Sequence, residues 1–259
     1  MNFSIEEILL SSGLFFGMLL LFEVGRRFGI ARRAHDPEGV DKGSGSVEAA
    51  IFGLLGLLLA FTFSGAASRF EDRRHLISEE ANAIGTAYLR IDMLPADTQP
   101  EIRQLFARYL KTRTNIYHDV DNIEVTKARI SDTATIQSQI WSKAISASRR
   151  PDAAPQAAIL LLPALNAMVD ITTTRAVALQ NHPPCVIFFL LVALSLTSAL
   201  LAGYVMCSTA VRSWFYMLLF TTTMSVTLLI IIDLEYPRFG LIQIDDADQV
   251  IAELGKLIR

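Results

Sequence analysis

Charge is missing from four long stretches of this chain, and that absence sets its class. Residues 8–22, 49–68 and 213–232 contain no Asp, Glu, Lys or Arg, and between Arg175 and Arg212 only His182 can carry a charge. A helix rises about 1.5 Å per residue, so roughly 20 apolar residues cross a hydrocarbon core of ~30 Å. Three of the stretches reach that length. The first does so when Ile5 is counted and Glu6 and Glu7 snorkel to the interface. A composition that is 52% hydrophobic, with mean hydropathy +0.39, excludes an ordinary soluble domain.

Other scarcities narrow the function. Formal charge is −3, so no basic footprint suggests a nucleic-acid partner. Cys185 and Cys207 are the only cysteines. They stand at opposite ends of one predicted span, about 33 Å apart along a helix, too far to bridge within the chain. The four histidines, His35, His75, His118 and His182, form no pair at metal-ligand spacing, so neither a metal nor another cofactor is expected. No nucleophile elbow, phosphate loop or catalytic carboxylate pair is present, and the chain does not read as an enzyme. The Gly-Ser stretch at 43–46 contains G-x-G, but Glu48 occupies the third glycine position and no strand precedes it, which leaves a flexible linker. The segment before the first span is acidic and lacks a cleavage pattern, so that span is expected to be retained and not removed as a signal peptide.

What is present organises into an all-α protein: four transmembrane helices with a helical-bundle extramembrane domain between spans two and three. Residues 1–68 form a first transmembrane hairpin with spans at about 8–24 and 48–68. Residues 69–182 form the extramembrane domain. Residues 183–232 form a second hairpin with spans at about 184–206 and 213–232, and 233–259 an acidic tail. No proline interrupts the chain between span two and Pro95, so span two is expected to continue out of the bilayer as one long helix. Ile102, Leu105, Phe106, Tyr109, Ile116 and Tyr117 then mark the apolar side of a helix opened by Pro100, with Arg103, Arg108, Lys111 and Arg113 largely opposite. Further helices are predicted from about 125 to 147 and from near Pro155 to Pro183, the latter holding Pro163. The tail clusters Asp245, Asp246 and Asp248 without the glycine and spacing of a calcium loop, and reads as solvated. Hydroxyls one turn apart, Thr221/Ser225 and Thr223/Thr227, either back-bond to their own helix or face neighbours.

Span two draws attention for function. Ala49, Gly53, Gly56 and Ala60 put small residues on one stripe, the pattern that lets helix backbones approach closely. Phe61 and Phe63 sit near its exit, and rings converging on a symmetry axis form a constriction that dewets. Only one of the two faces such an axis, because they lie about 200° apart on a helix. Beyond them Glu79, Glu80, Asn82 and Thr86 supply polar groups, carboxylates among them that favour cations. The plainer alternatives are helix packing for the phenylalanines and a solvated face for the polar residues.

Arginines give the orientation. Arg26, Arg27, Arg32 and Arg33 crowd the end of span one while the N-terminus is acidic, which places that loop in the cytoplasm and both termini and the helical domain outside. Channels and flagellar stators of similar layout have the domain inside.

The block Gly53-Leu-Leu-Gly-Leu-Leu-Leu-Ala-Phe-Thr-Phe-Ser-Gly-Ala-Ala-Ser-Arg-Phe-Glu-Asp-Arg-Arg74 resembles a bacterial membrane family called bestrophin-like. So do Glu80-Ala-Asn-Ala-Ile-Gly-Thr86, Leu89-Arg-Ile-Asp-Met-Leu-Pro95 and Asp233-Leu-Glu-Tyr-Pro-Arg-Phe-Gly240. The resemblance implies a relation to bestrophins, homopentameric ion channels with four spans per subunit. It implies lipid, inorganic ions and further copies of the chain as partners, and a bacterial inner membrane as location. No acidic calcium clasp is evident, so calcium gating is not implied. The competing expectation is a non-conducting scaffold or sensor that recruits a partner protein. A proton-driven energiser similar to the stators is disfavoured, because no carboxylate lies inside any span.

Overall fold

In the computed structural model the described residues are 3–35, 44–116, 123–208, 214–237, 241–242 and 244–257. They form eight α-helices: α1 (Phe3–His35), α2 (Ser44–Leu89), α3 (Gln99–Ile116), α4 (Ile123–Ser148), α5 (Ala157–Gln180), α6 (Cys185–Val205), α7 (Trp214–Glu235) and α8 (Asp245–Leu257). No strand occurs among them. Four helical stretches are long and apolar enough to cross a membrane. The chain divides into two compact units: residues 1–70 with 182–243, and residues 71–181 with 244–259. The division falls inside α2, whose 46 residues run without a break. Its end is dictated locally. Pro95 disfavours helical geometry in the residue before it, and Leu94 is extended, with ψ 158° after a 3-10 turn at Arg90–Met93.

The first unit is built on α1, α6, α7 and the apolar half of α2. Leu14, Met18, Leu55, Leu59, Leu191, Leu228 and Ile231 form its core. α1 and α6 approach each other closely, and glycine makes it possible. A Cβ on Gly25 would stand 1.9 Å from the Leu200 carbonyl oxygen, and one on Gly203 would stand 1.9 Å from that of Phe22. Gly29 lies against Cys207 in the same seam. Small residues therefore do act as close-packing sites here, but at positions the sequence reading passed over. Within the chain, Gly53 and Gly56 have open space where a Cβ would point, and Ala49 and Ala60 are exposed.

The second unit is a bundle of α3, α4, α5, α8 and the polar half of α2. The apolar face foreseen on α3 is the buried one: Ile102, Leu105, Phe106 and Tyr109 are all interior. Tyr117 and the side chain of Ile116 lie outside the described residues. On α4 the buried positions Thr133, Ile136, Ile140, Ala144 and Ala147 keep helical spacing. Arg103, assigned to the solvated side, lies with its guanidinium 4.5 Å above the Tyr88 ring and pairs with Asp92.

Two expectations need correction. The tail does not stay solvated throughout: α8 is amphipathic, and Ile244 and Ile251 are buried in the second unit. The cue was the apolar spacing of Ile251 and Leu254, masked by the preceding acidic cluster, whose side chains lie outside the described ones. The Gly-Ser linker is also shorter than read, because Ser44, Gly45 and Ser46 already belong to α2.

Candidate functional site

One stripe of α2 is exposed over the whole helix. Ala50, Leu54, Leu57, Phe61, Ser64, Ser68, Asp72, His75, Glu79, Asn82 and Thr86 recur at three- and four-residue spacing, and each is solvent-exposed in the single chain. Four of the six expected pore residues, Phe61, Glu79, Asn82 and Thr86, lie on it. Its chemistry changes along the helix, from branched apolar side chains through the Phe61 ring, 66% exposed, to hydroxyls and then to acidic and amide groups. Phe63, 45% exposed, stands on the other flank of the bare face, with Ala49, Gly53, Gly56 and Ala60 between the two phenylalanines in angle. Glu79 is paired along the helix with His75, at 3.2 Å.

Glu80 points the opposite way. It is 0% exposed, and its carboxylate accepts hydrogen bonds from Arg113 Nε at 2.5 Å and Arg113 Nη2 at 2.9 Å and from Arg175 Nη1. Burial alone pushes such a carboxyl group up. The hydrogen bond and charge of Arg113, and then those of Arg175, more than offset it, so the Glu80 carboxyl titrates below the ordinary glutamate range. Nearby, Arg73 donates from Nε to the Ala178 carbonyl at 3.2 Å and from Nη2 to that of Asn181 at 3.0 Å, satisfying carbonyls at the C-terminal end of α5. Together these contacts hold α2 against α3 and α5. The sequence reading had taken Glu80 together with Glu79 as a carboxylate flanking a pore. One residue along a helix is a turn of about 100°, enough to exchange solvent for the interior.

A second cluster, not foreseen as a site, lies in the first unit where α7 ends. Arg69 binds the Glu235 carboxylate through Nε, at 2.8 Å to Oε1 and 3.2 Å to Oε2, and through Nη2. His182 stacks on Tyr236, with ring centroids 4.6 Å apart, and its Nδ1 stands 3.5 Å from Glu235. Asp233 accepts the backbone N–H groups of Leu241 at 2.6 Å and Ile242 at 2.8 Å, turning the chain after α7. This is the structural use of the Asp233-Leu-Glu motif. The signal in the sequence was two acids at the end of an apolar run, each needing a partner once buried. Among the described residues no three His, Cys, Asp or Glu side chains converge in a way that would hold a metal ion.

The hydroxyl pairs on α7 differ from one another. Thr221 and Thr227 donate to the carbonyls four residues back, Met217 and Thr223, each at 2.8 Å. Ser225 is buried and has no such bond.

Comparison with known proteins agrees with this architecture. Two single-substitution forms of a bacterial bestrophin homologue from Klebsiella pneumoniae superpose with a TM-score of 0.71 at 14% identity. The alignments cover 93% and 94% of this chain and 99% and 98% of those chains. A crystal structure described as a membrane protein superposes with a TM-score of 0.67 at 14% identity, over 93% of this chain and 98% of that one. At such identity the likeness speaks for the fold. No curated protein matches the sequence. The family model of the Bestrophin-like domain matches residues 13–248, nearly the whole chain. This membrane protein belongs to the Bestrophin-like family.

Proposed function

We propose that the protein is a homo-oligomeric ion channel in which copies of α2 surround the pore. The observation that carries this reading is the exposed α2 stripe. Along one line the stripe passes from Leu54, Leu57 and Phe61 through Ser64 and Ser68 to Asp72, Glu79 and Asn82, as the wall of a water path entering a membrane does. The bare face with Gly53 and Gly56 supports close approach of neighbouring copies, since nothing within the chain fills it. The kinship with bestrophins, which are pentameric, favours five. The same kinship supports a location in a bacterial inner membrane, and the arginines after span one favour a helical domain outside, opposite to the side it takes in channels of similar layout.

The roles of the individual residues then separate. Phe61 shares the stripe with Glu79, Asn82 and Thr86, so it forms the constriction, and Phe63 packs against the next copy. Asp72 and Glu79 set a negative mouth that favours cations. Glu80 fixes the helix that carries them.

Currents across planar bilayers under asymmetric KCl test this directly. A reversal potential of cation sign is expected, with Glu79→Gln moving it toward zero. Phe61→Ala should raise the resting current by about ten-fold or more, since the barrier of a dewetted ring amounts to a few kcal/mol. Phe63→Ala should change subunit packing more than current. Unchanged currents in both phenylalanine variants would take α2 out of the pore. Silence from well-folded oligomers that retain a tight partner protein would favour the scaffold.

Gly53→Val offers a separate check on assembly. The chain itself has room for the added atoms, so the monomer fold should persist. Light scattering or native mass spectrometry should show the oligomer weakened.

A further inference from the structure

We infer that the arginine-bearing end of α1 is a binding surface for anionic phospholipid, with the guanidinium groups of Arg27 and Arg32 on the headgroup phosphate. The packing of α1 on α6, within the first unit, sets the depth. The two helices run parallel: a Cβ on Gly17 would meet Leu196, one on Gly25 would meet Leu200 and Tyr204, and one on Gly29 would meet Tyr204 and Cys207. α6 has 21 residues, Cys185–Val205, and at about 31 Å it just crosses a hydrocarbon core of ~30 Å. Its last turn marks the edge of that core, and α1 reaches the same edge near Gly29.

This depth accounts for the shortness of the first charge-free stretch. Residues 8–22 are too few to cross alone, and the turns from Glu23 to Gly29 complete a span of about 22 residues. Glu23, Arg26 and Arg27 therefore stand just inside the edge, where an unbalanced ion is costly. Glu23 accepts hydrogen bonds from Arg26 Nε at 3.2 Å and from Arg27 Nε at 3.0 Å. One carboxylate shared by two guanidinium groups leaves this trio net positive.

Arg32 lies three residues past Gly29, about 4.5 Å outside the core and within a headgroup layer about 5–7 Å thick. Arg27 reaches that layer by extending its chain outward, and its side chain is 77% exposed. Phe28, Ala31, Arg32 and His35 share its exposed arc, the Phe28 ring at 67%. An aromatic ring between two guanidinium groups at this level suits lipid headgroups. Residues 23–35 carry four arginines and one acid, so the complementary lipid has a net negative charge. A zwitterionic lipid brings a cation with each phosphate and cannot balance the excess. The planar fork of guanidinium also matches two phosphate oxygens. Asp36, Glu38 and Asp41 follow in sequence, outside the described residues.

The test uses the whole chain in detergent, titrated with phosphatidylglycerol or with phosphatidylcholine of the same acyl chains, and counts bound lipid by native mass spectrometry. Phosphatidylglycerol should be retained about ten-fold more strongly or better, and Arg27→Gln and Arg32→Gln should each lower its affinity about five-fold. Arg27→Lys, which keeps the charge, should retain most of the binding. Arg108→Gln with Lys111→Gln removes equal charge from exposed positions on α3 and should leave the preference intact. Equal retention of the two lipids, a preference that survives Arg27→Gln with Arg32→Gln, or one lost equally in the α3 variant would overturn the assignment. Efficient disulfide cross-linking between copies through Phe28→Cys, absent from the parent chain, would also overturn it, by showing that a second chain covers this face.

Discussion

Replacing Glu80 by glutamine should destabilise the helical domain by about 3–5 kcal/mol, the usual result of breaking a buried ion pair from one side. The carboxylate is the shared acceptor of Arg113 and Arg175, and all three side chains are buried. Glutamine keeps the shape but leaves two guanidinium groups facing each other with a neutral amide between them. The loss arises from two buried arginines deprived of their shared carboxylate and not from the absent acid as such. Replacing the three together, Glu80→Met with Arg113→Met and Arg175→Leu, should therefore recover much of the stability. Thermal unfolding followed by circular dichroism in nanodiscs separates these outcomes, and a triple variant no better than Glu80→Gln would contradict the account.

The same carboxylate gives the domain a pH dependence of definite sign. Its titration point is lowered on folding, so the unfolded chain binds the proton more readily than the folded one. The stabilisation is complete above the ordinary glutamate value of 4.5 and is lost as pH falls from there through the lowered value. Melting temperature should be flat in this respect at neutral pH and fall under strong acid. Glu80→Gln should remove that component of the slope.

Gly203→Val is the second large effect expected, acting on the membrane-spanning unit. The added Cβ would meet the Phe22 carbonyl oxygen at 1.9 Å, and Gly25 presents the reciprocal contact with Leu200. Both obstacles are backbone, so no side-chain rotation relieves them. α1 and α6 would have to separate by about 1 Å or more, unpacking the seam on which Met18, Leu191 and Ala199 also depend. Overpacking typically costs about 1–3 kcal/mol, and a forced backbone shift belongs at or above the top of that range. Loss of monodisperse protein in gel filtration is the expected readout for Gly203→Val and Gly25→Val. Gly13→Val is the control, because a Cβ at Gly13 meets nothing within 4 Å. Equal losses in all three would deny the seam its special role.

Much of the fold was legible because its signals are one-dimensional. Absence of charge over about 20 residues is a property of the chain alone, and it located the spans. The spacing of Ile102, Leu105, Phe106 and Tyr109 likewise identified the buried face of α3, since helical period converts sequence position directly into direction. The lack of a breaker between span two and Pro95 foretold the length of α2. The 3.6-residue repeat also put Glu79, Asn82 and Thr86 on one face of α2.

Partnership was not legible, because it joins residues far apart in sequence. Glu79 and Glu80 are adjacent acids with the same local surroundings, and only Arg113 and Arg175, brought in by α3 and α5, make one interior and leave the other exposed. Four small residues on α2 gave the stronger packing pattern, yet Gly25 and Gly203 make the contact within the chain, since spacing says which atoms are absent and not which backbone comes near. In the same way Glu235 reads as an acid at the end of an apolar run, and its pairing with Arg69, 166 residues away, appears only in three dimensions. The sequence by itself determined the class, the spans and the faces of single helices, all consequences of local period and of the energy of charge in hydrocarbon. The tertiary structure alone decided which polar groups are neutralised inside and which stripe of α2 is left bare, because those depend on what packs against what.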